Sequence, residues 1–173
     1  MTLSLVPHDS RWKAAFDSEA LVLSRALGCA RAAIHHIGST AVPGLLAKPI
    51  IDCLVEVPDL STVDLRTAQM EKAGYEARGE NGISGRRYFR SRESRGQDRF
   101  HVHVFAAGSA AGRRHIAFRD YLLAFPEAAQ DYGHLKAALA ARGLDRKSYQ
   151  AAKSGFVASL ADRAVAWMDG GPS

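Results

Sequence analysis

Apolar positions recur at helical spacing near the start of the chain. Trp12, Ala15 and Phe16 open a pattern that continues through Glu19, Leu21, Leu23 and Leu27. A turn at Pro7-His8 precedes it, Asp9 or Ser10 is placed to cap it, and Gly28 stands where a glycine ends a helix. Trp12 and Phe16 are four apart, share a face and read as core. Two apolar runs of strand length follow, Ala30–Ile37 and Pro49–Val57, and Pro58-Asp59 breaks the second. Leu60–Ala73 reads as a helix ending at Gly74, and Tyr75–Gly79 as a short strand. A Gly-rich turn covers Arg78–Gly85. Arg86–Ser91 and Arg99–Ala106 read as a hairpin around the polar turn Arg92–Asp98. Past a Gly108–Gly112 loop come three helices. The first spans Arg113–Phe125. The second opens on Pro126 and stops at about Arg142, before Gly143. The third spans Arg146–Met168 and is capped by Asp145. Gly170-Gly171-Pro172 is a frayed tail. Helix, strands, then helices, without repeat or linker, predict one α+β domain over 1–173 with a small mixed sheet and a helical C-terminal part.

Some positions do not fit pure packing. Asp52 interrupts the apolar run Pro49–Val57, and an unpaired buried charge is expensive. Gly38-Ser39 sits between the two runs. Glycine lets backbone approach a ligand closely, and Ser39 and Thr40 can cap a following helix whose N-terminus suits a phosphate. Lys48 adds a positive charge just before the second strand. His101 and His103 are two apart and face one side of a strand, a better ligand candidate than a lone histidine. Asp52, His101 and His103 are therefore expected to converge on one ligand or metal, as both metal ligands and catalytic groups. Only one of His35 and His36 can face the same side as the glycine turn.

The hairpin carries Arg86, Arg87, Arg90, Arg92, Arg95 and Arg99. Arginine grips phosphate bidentately, and Arg86 is the candidate clamp; the others read mostly as solvated charges. Tyr132 and Lys136 are four apart, as are Tyr149 and Lys153, so each pair shares a helix face. Each lysine can reach a phosphate or cover apolar surface with its stem.

The net charge is +5 over 173 residues, which favours acidic partners such as nucleotides or phosphates, or else is a solvated surface. No RNA-recognition aromatic motif is present, so nucleic acid is a minor hypothesis. No apolar run approaches a membrane span and no signal pattern opens the chain. Cys29 and Cys53 imply no disulfide framework, and both are expected reduced in a cytoplasmic protein.

His36 through Asp52 resembles the GrpB family signature, roughly "HIGSTxVPGLxAKPIIDI". The resemblance extends from about Val6 to Phe156. It takes in the "hdxxWxxxFxxE" opening, the "HxHV" strand at His101, "FRDYL" at Phe118–Leu122, "YxxLK" at Tyr132 and "YxxxKxxF" at Tyr149. The family is a group of predicted nucleotidyltransferases. The resemblance implies a nucleotidyltransferase-like fold and metal-dependent transfer of a nucleotidyl group from a nucleoside triphosphate to an unknown acceptor. Gly38, Ser39, Thr40, Lys48, Arg86, Lys136 and Lys153 are the expected phosphate or ligand contacts. His36, the one matching the motif, is the site-facing candidate of its pair; a structural role is the other reading. Arg119 and Asp120 read as structural, pairing with neighbours to fix their helix. The implied cofactor is a divalent metal, Mg²⁺ or Mn²⁺, with Zn²⁺ favoured if nitrogen ligands hold it. The superfamily's usual second carboxylate, two residues after the first and roughly 6–7 Å away, is replaced by Leu54; Glu56 lies on the order of 13 Å from Asp52. Two alternatives follow: a non-catalytic domain that binds a nucleotide or other phosphorylated small molecule, or a metal-dependent phosphoester hydrolase.

Overall fold

A computed structural model describes residues 5–92, 96 and 98–170. The elements are α1 (Arg11–Leu27), β1 (Ile34–Ile37), β2 (Ile51–Val57), α2 (Leu60–Asp64), α3 (Thr67–Lys72), β3 (Tyr75–Ala77), β4 (Arg86–Arg92), β5 (Asp98–Ala106), α4 (Ala110–Ala124), α5 (Pro126–Ala141) and α6 (Arg146–Met168). The architecture is α+β, with a five-stranded mixed sheet and flanking helices. Two compact units are separable. One holds Ser10–Ile37 and Ile50–Gly112. The other holds the chain up to Asp9, Gly38–Pro49 and everything from Arg113.

The sheet unit has strand order β1-β2-β5-β4-β3. β2 and β5 run parallel; every other pair is antiparallel. The parallel pair is central, and Cys53, Leu54, Val55, Val102, Val104 and Phe105 on it are fully buried. α1 buries Trp12, Phe16, Leu23 and Leu27 of the expected pattern, and Ala20 with them, while Leu21 is 51% exposed. Gly28 ends it at φ 67°, its N–H bonded to Ser24 O, in the left-handed conformation a C-cap glycine supplies. Ser10 precedes the helix without a side-chain cap bond, because its backbone is already helical (φ −59°, ψ −21°) rather than extended.

The expected elements shift in several places, with β2 starting at Ile51 rather than Pro49 and β3 ending at Ala77 rather than Gly79. Arg31–Ala33 wind into a 3₁₀ turn, so β1 starts only at Ile34. The helix expected over Leu60–Ala73 splits at Leu65-Arg66, with Val63 and Met70 as the buried anchors of its halves and Leu65 82% exposed at the break. β4 and β5 each extend one residue into the expected turn, whose Arg95 lies outside the described residues. α4 starts at Ala110, three residues early.

The helical unit packs Val42 and Leu45 with Ala117, Tyr121 and Leu122 of α4, Ala128 and Tyr132 of α5, and Leu160 and Ala164 of α6. Pro126 opens α5, and the Asp145 side chain accepts from Ser148 N at 2.7 Å to cap α6. Val6 and Ala47 exchange backbone hydrogen bonds of 2.8 and 3.0 Å. Among the described residues no helix is long and apolar enough to cross a membrane.

Candidate functional site

Alternation along β2 puts Asp52, Leu54 and Glu56 on one face of the sheet. Asp52 registers with His101, and Leu54 with His103. Side chains opposite each other in register share a face, so His101 and His103 stand beside Asp52. Asp52 Oδ1 lies 3.4 Å from His101 Nδ1 and 3.3 Å from His103 Nε2. The three residues named as a ligand-binding set thus stand together, with both imidazoles beside one carboxylate oxygen.

The cluster continues at both ends. His101 Nε2 lies 3.2 Å from Asp98 Oδ2. His103 Nδ1 lies 3.1 Å from Arg86 Nη1. A guanidinium only donates, so His103 Nδ1 is the acceptor, and a neutral His103 carries its proton on Nε2, donated to Asp52. Tyr88 packs its ring tilted against His101 and edge-on to His103, at centroid distances of 5.6 and 5.2 Å.

Burial works against the Asp52 charge, but the bonds from His101 and His103 outweigh it and hold the carboxyl well below its usual range. Burial likewise works against a charged His101, but Asp52 and then Asp98 push that imidazole above its usual value. Asp52 keeps its side chain 29% exposed, and its Oδ2 makes no hydrogen bond among the described residues.

Arg86 is buried, and its donors are committed inside the unit. Nε and Nη2 reach the carbonyls of Glu80 and Asn81 at 3.0 and 2.6 Å, and Nη1 reaches His103. It staples the Gly-rich turn to the histidine strand. Arg87 forks onto Asp64 at 2.6 and 2.8 Å, and Arg90 Nε meets Glu76 at 2.7 Å. His36 points away from Asp52 and stacks on Phe16 of α1, centroids 4.7 Å apart. The member of that pair on the Asp52 face is His35, opposite Leu54, and it pairs with Glu56 at 3.1 Å. Leu54 is completely buried, so a carboxylate there would lose its hydration.

The helical unit gathers a second set. Gly38 adopts φ 72°, ψ −172°, a conformation that favours glycine. Ser39–Ala41 after it form one 3₁₀ turn without a side-chain cap. A single turn aligns too few peptides to make a helix dipole, so that part of the phosphate argument lapses. Thr40 is buried. Lys136 replaces the dipole with a real charge. It is 3% exposed, donates to Ser39 Oγ at 2.9 Å and to the Leu46 carbonyl, and lies 4.6 Å from the Tyr132 ring centroid. Burial, and then the charge of Lys153, push its amine down to about 7. Lys48 and Lys153 lie over one ring, that of Tyr149, at 5.6 and 5.3 Å. Arg119 and Asp120 pair with each other at 2.7 Å.

The GrpB protein family model matches residues 2–163. The chain belongs to the GrpB family. A crystal structure of the conserved protein GrpB from Enterococcus faecalis is 37% identical to it, with a TM-score of 0.83 over 93% of this chain and 96% of that one. The UPF0157 protein YqkA of Bacillus subtilis is 40% identical over 170 residues, which are 97% of this chain but 49% of that protein. The chain thus spans about half the length of that relative. The glutamate-rich protein GrpB of Alkalihalophilus pseudofirmus is 36% identical over 157 residues, 88% of this chain and 90% of that one.

Two members of the sheet cluster escape a reading by sequence: Tyr88 and Asp98. Asp98 carried a usable signal, since it stands three residues before His101 at the mouth of the same strand. Tyr88 carried none, because its contacts depend on strand register, and register also makes His35 rather than His36 the member of that pair on the Asp52 face.

Proposed function

We propose that this GrpB-family chain binds a nucleotide or a related phosphorylated small molecule, with Lys48, Lys136, Lys153 and Ser39 as the phosphate contacts. The observation that carries the reading is Lys136. It is a buried lysine whose hydrogen bonds go to neutral oxygens, beside the charge of a second lysine. A buried cation without a counter-charge is expensive, and an anionic ligand supplies one. Lysine recognises phosphate as a point charge, which suits several lysines around one polyphosphate. Arg86 is not part of this set.

The finer reading is metal-dependent nucleotidyl transfer with Asp52 as the metal ligand. Asp52 fits a hard cation through Oδ2. Magnesium and manganese suit oxygen, and Mg²⁺ keeps several waters beside one or two carboxylates and substrate phosphates. His101 and His103 do not fit as ligands. His103 presents N–H to Asp52 and has Nδ1 occupied by Arg86, while His101 lies between two carboxylates. Among the described residues no group of three or more His, Cys, Asp or Glu is arranged to hold a metal. The imidazoles serve instead to orient Asp52 and hold it ionised. When bound, the metal would neutralise charge on the transferring phosphate. The hydrolase reading needs nitrogen ligands and gains no support. Binding without catalysis is the second reading, favoured by the buried Leu54 in place of another carboxylate.

Thermal shift with ATP and with inorganic triphosphate, each with and without Mg²⁺ or Mn²⁺, tests both levels. A ligand that binds only the folded state raises Tm by mass action. Binding predicts a shift that is lost in Lys136→Met. Transfer further predicts a metal-dependent increment lost in Asp52→Asn. No shift with either polyphosphate would overturn the reading.

A further inference from the structure

One aromatic ring of the helical unit stays partly in water beside the lysines. Phe156 of α6 is 37% exposed, whereas Tyr132 of α5, on which it packs, is 5% exposed. The two rings are stacked, their planes 9° apart and their centroids 6.1 Å apart. Phe118 of α4 meets Tyr132 edge-on at 5.6 Å, so the ring that carries Phe156 is held from another helix. Tyr132 is the only ring partner of Phe156 among the described residues, and it covers one face of the phenyl. Ala152 and Ser159, one turn before and one turn after on α6, are small and exposed. A side chain at Gly155 would meet nothing within 4 Å. The outer side of the phenyl therefore has room for a flat molecule.

A single exposed phenylalanine is ordinary on a protein surface. This one is set apart by its neighbours. Tyr149, Lys153 and Phe156 are spaced by four and then three residues, which makes them one stripe along α6. Lys153 and Lys48 lie over the Tyr149 ring at 5.3 and 5.6 Å. Lys136 Nζ lies 4.6 Å from the Tyr132 centroid, and the Phe156 centroid lies 6.1 Å from that same point. The phenyl and the buried amine are thus no farther apart than these two spans laid end to end. A nucleoside triphosphate has the matching form: an aromatic base joined through ribose to a row of phosphates.

We propose that Phe156 is the base platform of this site, and that the ligand is a nucleoside polyphosphate whose base stacks on the outer face of the phenyl. This rests on the phosphate-binding reading, in which the lysines hold the phosphates, and adds that the ligand carries an aromatic base. Stacking needs only a π-face, so any base is accepted, and purines are favoured because their larger rings bury more area. Tyr132 and Phe118 position the platform without touching the ligand.

The test is calorimetric titration of the purified chain with ATP, CTP and inorganic triphosphate, all with Mg²⁺. Inorganic triphosphate offers the lysines the same row of phosphates without a base. The expected result is an ATP-to-triphosphate affinity ratio that falls about tenfold in Phe156→Ala, the scale of one base–aromatic stack. Phe156→Trp keeps the ratio, and CTP falls between ATP and triphosphate in the wild type. Phe156→Leu, which keeps apolar bulk without a π-face, replaces the Ala variant if that one does not fold. A ratio unchanged in the variant without a π-face overturns the platform and leaves the phosphate site standing. Binding of triphosphate without ATP does the same. Binding of none of the three overturns both readings.

Discussion

Arg86 Nη1 donates to His103 Nδ1 across 3.1 Å, and this bond decides which edge of the imidazole carries its proton. The same guanidinium holds the Glu80 and Asn81 carbonyls, so the orientation of His103 and the shape of the turn before β4 depend on one residue. Arg86→Met breaks all three bonds at a buried site. Stability is expected to fall by about 2–3 kcal/mol, the scale of lost hydrogen bonds to a charged group. Urea unfolding measures the fall. Nitrogen NMR of the wild type checks the geometry: a neutral His103 should show the Nε2–H form, and an Nδ1–H form would contradict the assigned bond.

Asp52 and His101 predict a window of pH. The folded Asp52 carboxyl lies below its ordinary 3.8, so its contribution is present above 3.8 and lost as pH falls through the lowered value. The folded His101 lies above its ordinary 6.5, so its contribution is full below 6.5 and lost as pH rises through the raised value. The pair therefore stabilises most between 3.8 and 6.5. The stability difference between wild type and Asp52→Asn should peak in that window and narrow on both sides. Urea midpoints measured across the range decide it, and a flat difference would count against the pairing.

Lys136 acts with the opposite slope. Its folded value is about 7 against an ordinary 10.5, so between these the unfolded chain holds a proton that the folded chain has lost. Stability then rises with pH, by at most about 1.4 kcal/mol per unit from this one group. Lys136→Met removes the slope. The wild type should gain on the variant from neutral to alkaline pH, read from chemical unfolding of both proteins at matched pH.

The two cysteines should separate by reactivity. Cys53 is completely buried in β2, and burial, followed by the charges of Asp52 and Glu19, pushes its thiol up. Cys29 is only partly buried, and burial raises it too. A thiol reagent should modify Cys29 in the folded protein and reach Cys53 only on unfolding. Peptide mapping after a timed reaction checks the order.

Elements whose cause is local were legible along the chain. The α1 periodicity, its Gly28 stop, Pro126 at the head of α5 and Asp145 as the cap of α6 depend on neighbours within one or two turns. The placing of His101 and His103 on one side needed only the alternation of a strand. The α+β class followed from the order of the elements, and the GrpB motifs are contiguous strings of residues.

Partnerships across the chain were not legible. Asp52 meets the histidines because β5 inserts in parallel beside β2, and no residue near Asp52 encodes that choice. His35 faces the site and His36 the helix because the 3₁₀ turn at Arg31–Ala33 fixes where the alternation of β1 begins. Arg86 reads as a phosphate clamp until the turn carbonyls fold under it. Lys136 and Lys153 sit on exposed-looking helical spacing, yet burial against the segment after Gly38 makes one of them a partner of Ser39 and lowers its basicity. Hydrogen-bond register and desolvation are properties of packed neighbours distant in sequence. The chain itself set the residue types, the periodicities and the stops; which charges ended up dry, and beside what, was settled by packing.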